Sequence, residues 1–223
     1  MHAYAAEATK GTNVTVNSVT TGGLPEPRAD WTEAARTKVV AALKAHGCKV
    51  AVDTSDGPLT ALADRLEHAS PDLIKPNSEE LASAVGRTLH TIGDVIDAAQ
   101  ELCRHGIEAV LASLGADGMI AVTAEGVIGA RTAPVKVINT VGAGDATLAG
   151  FLSAVATNPL PEGQKVLGVG FDVVSGVQMA VRWGALKVQQ HTSGLDTIEN
   201  LPESFLNENP DRSKQLDEPA IAH

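Results

Sequence analysis

Aromatic residues are scarce: three Phe, two Trp and one Tyr make up 3% of the chain. Base-stacking platforms for single-stranded nucleic acid need several such rings, which excludes that class of partner. Positive charge is short as well. Seventeen Lys and Arg face 27 Asp and Glu, for a net charge of −10, which argues against a nucleic-acid backbone as ligand. A small phosphorylated molecule stays possible, because a local group of backbone N–H donors can bind an anion in an acidic protein. Cysteine is limited to Cys48 and Cys103, each inside an apolar pattern, and both read as free thiols rather than a disulfide or metal pair. The seven histidines lack metal-ligand spacing such as H-E-x-x-H. There is no apolar run of about 18 residues and no charged-then-apolar leader, so the expected location is cytoplasmic, with no membrane partner.

What the chain does have is apolar content and glycine. With 223 residues, 43% hydrophobic, and 21 glycines, it can bury a substantial core and turn often, as one α/β domain would. Residues 1–20 form a poorly defined segment in which Val14, Val16 and Val19 suit a short strand. Helical spacing follows from Trp31 to His46, and Lys49–Asp53 reads as a buried strand. Another helix starts at Pro58, and Asp72–Lys75 is a short strand leading into a helix from Ser78 to Val85. Ile92, Val95, Ala99 and Leu102 mark the next helix, and Ile107–Leu114 the next strand. Met119–Thr123 and Val127–Arg131 look like neighbouring strands joined through Glu125-Gly126. Alternating strands and helices predict a doubly wound, mostly parallel sheet with helices on both faces. Val173, Val177, Ala180 and Val181 begin a last long helix; beyond it, 201–223 is polar, carries Pro202, Pro210 and Pro219, and is expected to be a disordered tail. That leaves 21–200 as the domain proper.

The stretch that carries chemistry is Asn139-Thr140-Val141-Gly142-Ala143-Gly144-Asp145, followed by helical spacing at Leu148, Leu152 and Val155. A helix beginning near Gly144 would present unpaired N–H groups and a partial positive charge. Gly142 and Gly144 would let a phosphate approach closely, with Ala143 completing the anion hole. Asp145 would then stand beside a transferring phosphoryl group as general base. The same residues also suit an ordinary helix start, with Asp145 only complementing the dipole. No Gly-Lys-Ser/Thr follows the glycines, so the Walker pattern is absent.

The run Thr140 to Asp145, closed by Ala149-Gly150-Phe151, resembles the C-terminal signature of ribokinase-like carbohydrate kinases, the PfkB family. Three further segments resemble the same family. Lys75-Pro76-Asn77-Ser78-Glu79-Glu80 contains the N-x-x-E pattern, implying Mg²⁺ held by Asn77 and Glu80, through water, and a phosphate met by Lys75 and Asn77. By residue type alone it is equally a capped surface helix. Ser113-Leu114-Gly115-Ala116-Asp117-Gly118 resembles the turn that meets the nucleotide, implying ATP contacts at Ser113, Gly115 and Gly118, with a plain hairpin turn as the alternative. Asp53-Thr54-Ser55 is similar to a segment of members acting on phosphorylated ketohexoses, with Asp56 intervening before Gly57. Gly22 and Gly23 sit where the family has a substrate turn. The resemblance spans about residues 20–195 and implies a ribokinase-like kinase using ATP and Mg²⁺. Its acceptor would be a small-molecule sugar phosphate: fructose 1-phosphate, or a tagatose phosphate as alternative. A homo-oligomer is possible in that family. The family's glycine-rich N-terminal motif and lid strands are missing before Thr21, which also admits a nucleotide-binding homologue without sugar turnover.

Overall fold

The computed structural model describes residues 2–9, 13–20, 33–53, 57–64, 66 and 70–221. In chain order the elements are β1 (His2–Thr9), β2 (Asn13–Thr20), α1 (Glu33–Ala45), β3 (Lys49–Asp53), α2 (Gly57–Ala63), β4 (Leu73–Ile74), α3 (Ser78–Val85), β5 (Leu89–Thr91), α4 (Ile92–Arg104), β6 (Ala109–Ser113), β7 (Met119–Thr123), β8 (Val127–Thr132), α5 (Ala143–Thr157), α6 (Val173–Val188), β9 (Ser204–Asn207) and β10 (Gln215–Ala220). They fall into two compact units. The first comprises Met1–Ala112, Val122–Ala124 and Asp211–His223, the second Ser113–Ala121 and Glu125–Pro210.

In the first unit the strand order is β2-β1-β3-β4-β6. β3 runs parallel to β4, pairing Ala51 with Leu73 and Val52 with Ile74, and β4 runs parallel to β6. Strands covered on both faces read as continuous apolar runs, and Val50–Val52, Leu73–Ile74 and Ala109–Ala112 are all buried. Asp72 fastens their entering ends. Its backbone bonds Val50 and Ala109, while its carboxylate accepts from Val50 N–H (2.7 Å), Lys44 (2.6 Å) and Lys49 (2.9 Å). On α4 the predicted apolar face, Ile92, Val95, Ala99 and Leu102, is buried. Cys103 on that helix is buried too, and burial pushes its thiol up to about 12, so it is an inert core group.

Both ends of the chain differ from the sequence expectation. Within the poorly defined 1–20 segment, His2–Thr9 and Asn13–Thr20 are strands: β1 pairs antiparallel with β2 and also with β3, His2 opposite Asp53. Its alanine-rich sequence has weak strand propensity, and the pairing comes from β3, 40-odd residues on in the chain. The tail is ordered as β9 and β10. β10 pairs with β5, Gln215 opposite Thr91 and Ala220 opposite Leu89. Just before it, Lys214 and Arg212 carbonyls accept the N–H groups of Ile92 and Gly93 that open α4 (2.9 Å each), and Arg212 pairs with Asp97 (2.7 Å). A polar stretch with proline can be an edge strand, because its partner supplies the hydrogen bonds and an edge tolerates proline. The α/β class stands, with parallel and antiparallel strands making the sheet mixed.

In the second unit β7, β8 and β9 lie side by side, and β9 is antiparallel to β8, Arg131 opposite Phe205. The Arg131 guanidinium lies 5.9 Å from the Phe205 ring centre, a cation–π contact. α5 packs on α6 at close range. A methyl on Gly150 would lie 2.8 Å from both the Met179 carbonyl oxygen and the Trp183 ring, and one on Gly176 would enter the Phe151 ring. Phe151 in turn meets Phe171 edge-on, centroids 6.1 Å apart. Gly150→Ala is expected to lose about 1–3 kcal/mol from overpacking, more than the helix propensity alanine returns. Urea unfolding checks this, and a stabilised variant would mean the helices separate freely.

Candidate active site

In the second unit the glycine loop is built by an asparagine and a left-handed glycine. Asn139 Oδ1 accepts the Val141 N–H (2.9 Å), and Thr140 C=O accepts from Ala143 (3.0 Å), turning the chain onto α5. Gly142 is the cap of that helix, with φ of +82°, and a β-carbon there would also collide with the Ser193 carbonyl oxygen. α5 has no side-chain cap. Its first-turn N–H groups at Gly144 and Asp145 have no acceptor among the described residues. The Asp145 side chain is exposed and forms no hydrogen bond or ion pair among them either. Gly142, Ala143, Gly144 and Asp145 thus share one turn, with open donors beside an unengaged carboxylate.

Behind the loop stands the end of α6. Ile138 and Asn139 N–H groups both donate to Val188 C=O (2.7 and 3.1 Å), and Asn139 Nδ2 donates to His191 C=O (3.0 Å). Sequence reading missed Asn139 as an anchor, although an Asn two residues before an amide it can bind is a recognisable Asx-turn signal. Lys187, also missed, is fully buried and donates to Asn139 C=O at 3.3 Å.

The same unit holds the Ser113–Gly118 turn. Ser113 ends β6, and Gly115–Asp117 form a single 3-10 turn opened by Gly115, exposed at φ +57°. Gly118 has a packing reason to be glycine. Its N–H donates to Gly115 C=O (3.2 Å), its carbonyl accepts from Leu114 (2.9 Å), and a β-carbon would collide with the Ala130 carbonyl oxygen.

In the first unit, adjacent parallel strands bring Asp53 and Lys75 together at their leaving ends, where ligands gather in such sheets. Lys75 is 6% exposed and its Nζ lies 3.3 Å from the Asp53 carboxylate. Asn77 and Glu80 form a reciprocal capping box on α3: Asn77 Oδ1 accepts Glu80 N–H and Glu80 Oε2 accepts Asn77 N–H, both at 2.8 Å. The capped-helix reading therefore holds for these two residues, and it fixes the amide and carboxylate at one strand end beside Lys75. Thr54, Ser55, Gly22 and Gly23 lie outside the described residues. Among those described, no three His, Cys, Asp or Glu side chains converge as a metal cage. A hydrated Mg²⁺ asks for less, one or two carboxylates with water and substrate phosphates supplying the rest, and the Asn77–Glu80 donor set fits that requirement. No helix of the described residues is long and apolar enough to cross a membrane.

Known proteins point the same way as these segments. The 1-phosphofructokinase of Haloferax volcanii is 47% identical over 111 residues, covering 50% of this chain and 35% of its own length. That of Haemophilus influenzae is 40% identical over 136 residues, covering 60% and 40%. This chain thus spans 35–40% of the length of these two relatives. Among solved structures, phosphofructokinase-2 from Escherichia coli in complex with potassium superposes with a TM-score of 0.62 at 29% identity, covering 73% of this chain and 48% of that one. The profile of pfkB family carbohydrate kinases matches residues 18–200, most of the sequence, and the chain belongs to that family.

Proposed function

We propose that the protein transfers the γ-phosphoryl group of ATP to a hydroxyl of a phosphorylated ketohexose, fructose 1-phosphate giving fructose 1,6-bisphosphate. The observation that carries this reading is the turn at the start of α5, where N–H groups at Gly144 and Asp145 without an acceptor among the described residues flank a carboxylate that engages none of them. In the step, the sugar 6-hydroxyl oxygen forms a bond to the γ-phosphorus, the bond from that phosphorus to the β–γ bridging oxygen breaks, and ADP leaves. Asp145 takes the hydroxyl proton, and the N–H groups of Gly144 and Asp145 are the candidates to meet the phosphoryl oxygens as charge builds, the expected Ala143 N–H being already engaged by the Thr140 carbonyl (3.0 Å). Lys75, Ser113 and Gly115 are the candidates for the remaining nucleotide phosphates. Asn77 and Glu80 would hold a divalent ion, Mg²⁺, through water; when bound, it neutralises phosphate charge. The curated relatives named 1-phosphofructokinase support the choice of sugar.

A coupled ADP-release assay with MgATP, run separately on fructose 1-phosphate and tagatose 6-phosphate, tests this. The expected result is saturable turnover with a kcat/KM preference for fructose 1-phosphate. A preference for tagatose 6-phosphate would move the protein to the other ketohexose phosphate.

A further inference from the structure

We infer that Lys187 is a positioning residue for the glycine loop, a buried cation seated behind Gly142 that holds the loop ready for a phosphoryl group. The inference deepens the kinase reading and rests on it for the nature of the ligand. Lys187 is in the last turn of α6 and has no exposed surface. Interior lysines are ordinarily matched to a carboxylate, because an ammonium group taken out of water without compensation is costly. Lys187 forms no ion pair among the described residues. Its Nζ instead donates to the Asn139 carbonyl, and its Cε lies 3.5 Å from where a β-carbon on Gly142 would be. Asn139 is the hub of the loop, accepting from Val141 and donating to the His191 carbonyl. One lysine therefore grips the residue that shapes the turn and places positive charge on the inner side of the same turn. The position at a helix C-terminus supports a cation, yet that support alone would not require burial against the loop. A phosphoryl group on the outer side would meet the open N–H groups of Gly144 and Asp145 with the lysine's field behind them, and in a water-poor interior that field is weakly screened.

The test compares the 223-residue chain with its Lys187→Met and Lys187→Ala variants. Methionine keeps length and removes charge and donors; alanine leaves a space that an added amine can fill. Three readings are taken on each: thermal unfolding, MgATP titration by calorimetry, and amide exchange at Val141 and Ala143. Lys187→Met should unfold within a few degrees of the parent, bind MgATP about tenfold or more weakly, and exchange both amides faster. Lys187→Ala should show the same loss, and methylammonium should restore its MgATP binding while doing nothing for Lys187→Met. A purely structural lysine would move the unfolding temperature without this split and without rescue. Parent-like MgATP affinity in Lys187→Met, or loss of affinity in Lys187→Ala that methylammonium does not restore, would overturn the inference. If the folded parent binds no MgATP, the kinase reading fails; amide exchange then decides, and unchanged protection in Lys187→Met would remove Lys187 as the loop's anchor.

Discussion

Asp145→Asn is expected to slow phosphoryl transfer by about 10²–10⁴-fold while leaving MgATP affinity within a few-fold. Asp145 occupies the first turn of α5, exposed, and engages no other group among the described residues, so its carboxylate is free to accept a proton. Asparagine keeps the shape and the backbone N–H proposed to meet the phosphoryl group, but it has no basic oxygen for the hydroxyl proton. On the proposed reading, binding depends on the N–H groups and the other phosphate contacts, which the substitution preserves, so kcat should carry the loss. If Asp145 only complemented the helix dipole, the variant would lose a few tenths to about 1 kcal/mol of stability and no rate. Parallel measurement of kcat, MgATP affinity and unfolding temperature separates the two, and an unchanged kcat would remove Asp145 from the chemistry.

A stability effect with a defined pH dependence is expected at Asp72. Burial by itself would raise this carboxyl, but hydrogen bonds from Lys44, Lys49 and the Val50 N–H outweigh it and hold it below the usual carboxylate range. A carboxyl lowered in the folded state contributes stability above its unfolded pKa of about 3.9, and that contribution disappears as pH falls through the lower folded value. Asp72→Asn imitates the protonated state. It should cost about 1–3 kcal/mol at pH 7, the range for hydrogen bonds to a charged group. The fuller penalty of a broken buried pair does not apply, because the side chains of Lys44 and Lys49 are 36% and 58% exposed and their ammonium groups can rehydrate. Parent and variant should converge below pH 4 in urea unfolding. A difference that stays constant from pH 7 to pH 3 would show that Asp72 acts through shape and not charge.

What could be read from the sequence was local. The helical spacing of Val95, Ala99 and Leu102, the buried runs at β3 and β6, and the Asn77–Glu80 cap each depend on residues a few positions apart. The glycine loop belongs with them, since a left-handed glycine before an apolar helical pattern announces a helix start. What escaped was set by distant chain. β1 is a strand because β3 pairs with it, and β10 is one because β5 does; neither Ala-rich nor Pro-containing sequence signals a strand alone. The same holds at the candidate site. Lys187 is in the last turn of α6, where no sequence motif marks it, and only the fold brings it to Asn139, 48 residues earlier. Gly118 fitted a phosphate turn by pattern, while its contact with Ala130 across the β7–β8 pair gives a packing reason for glycine that no spacing rule reveals.

Product identity is the sharpest test of phosphoryl transfer to a ketohexose phosphate with Asp145 as base. Folded protein is incubated with MgATP and fructose 1-phosphate, and phosphorus NMR follows every phosphate in the mixture. The account predicts fructose 1,6-bisphosphate appearing in step with ADP for the parent, and at a rate at least about 10²-fold lower for Asp145→Asn. ADP accompanied by inorganic phosphate, with no bisphosphate formed, would contradict it, as would bisphosphate forming equally fast in both proteins.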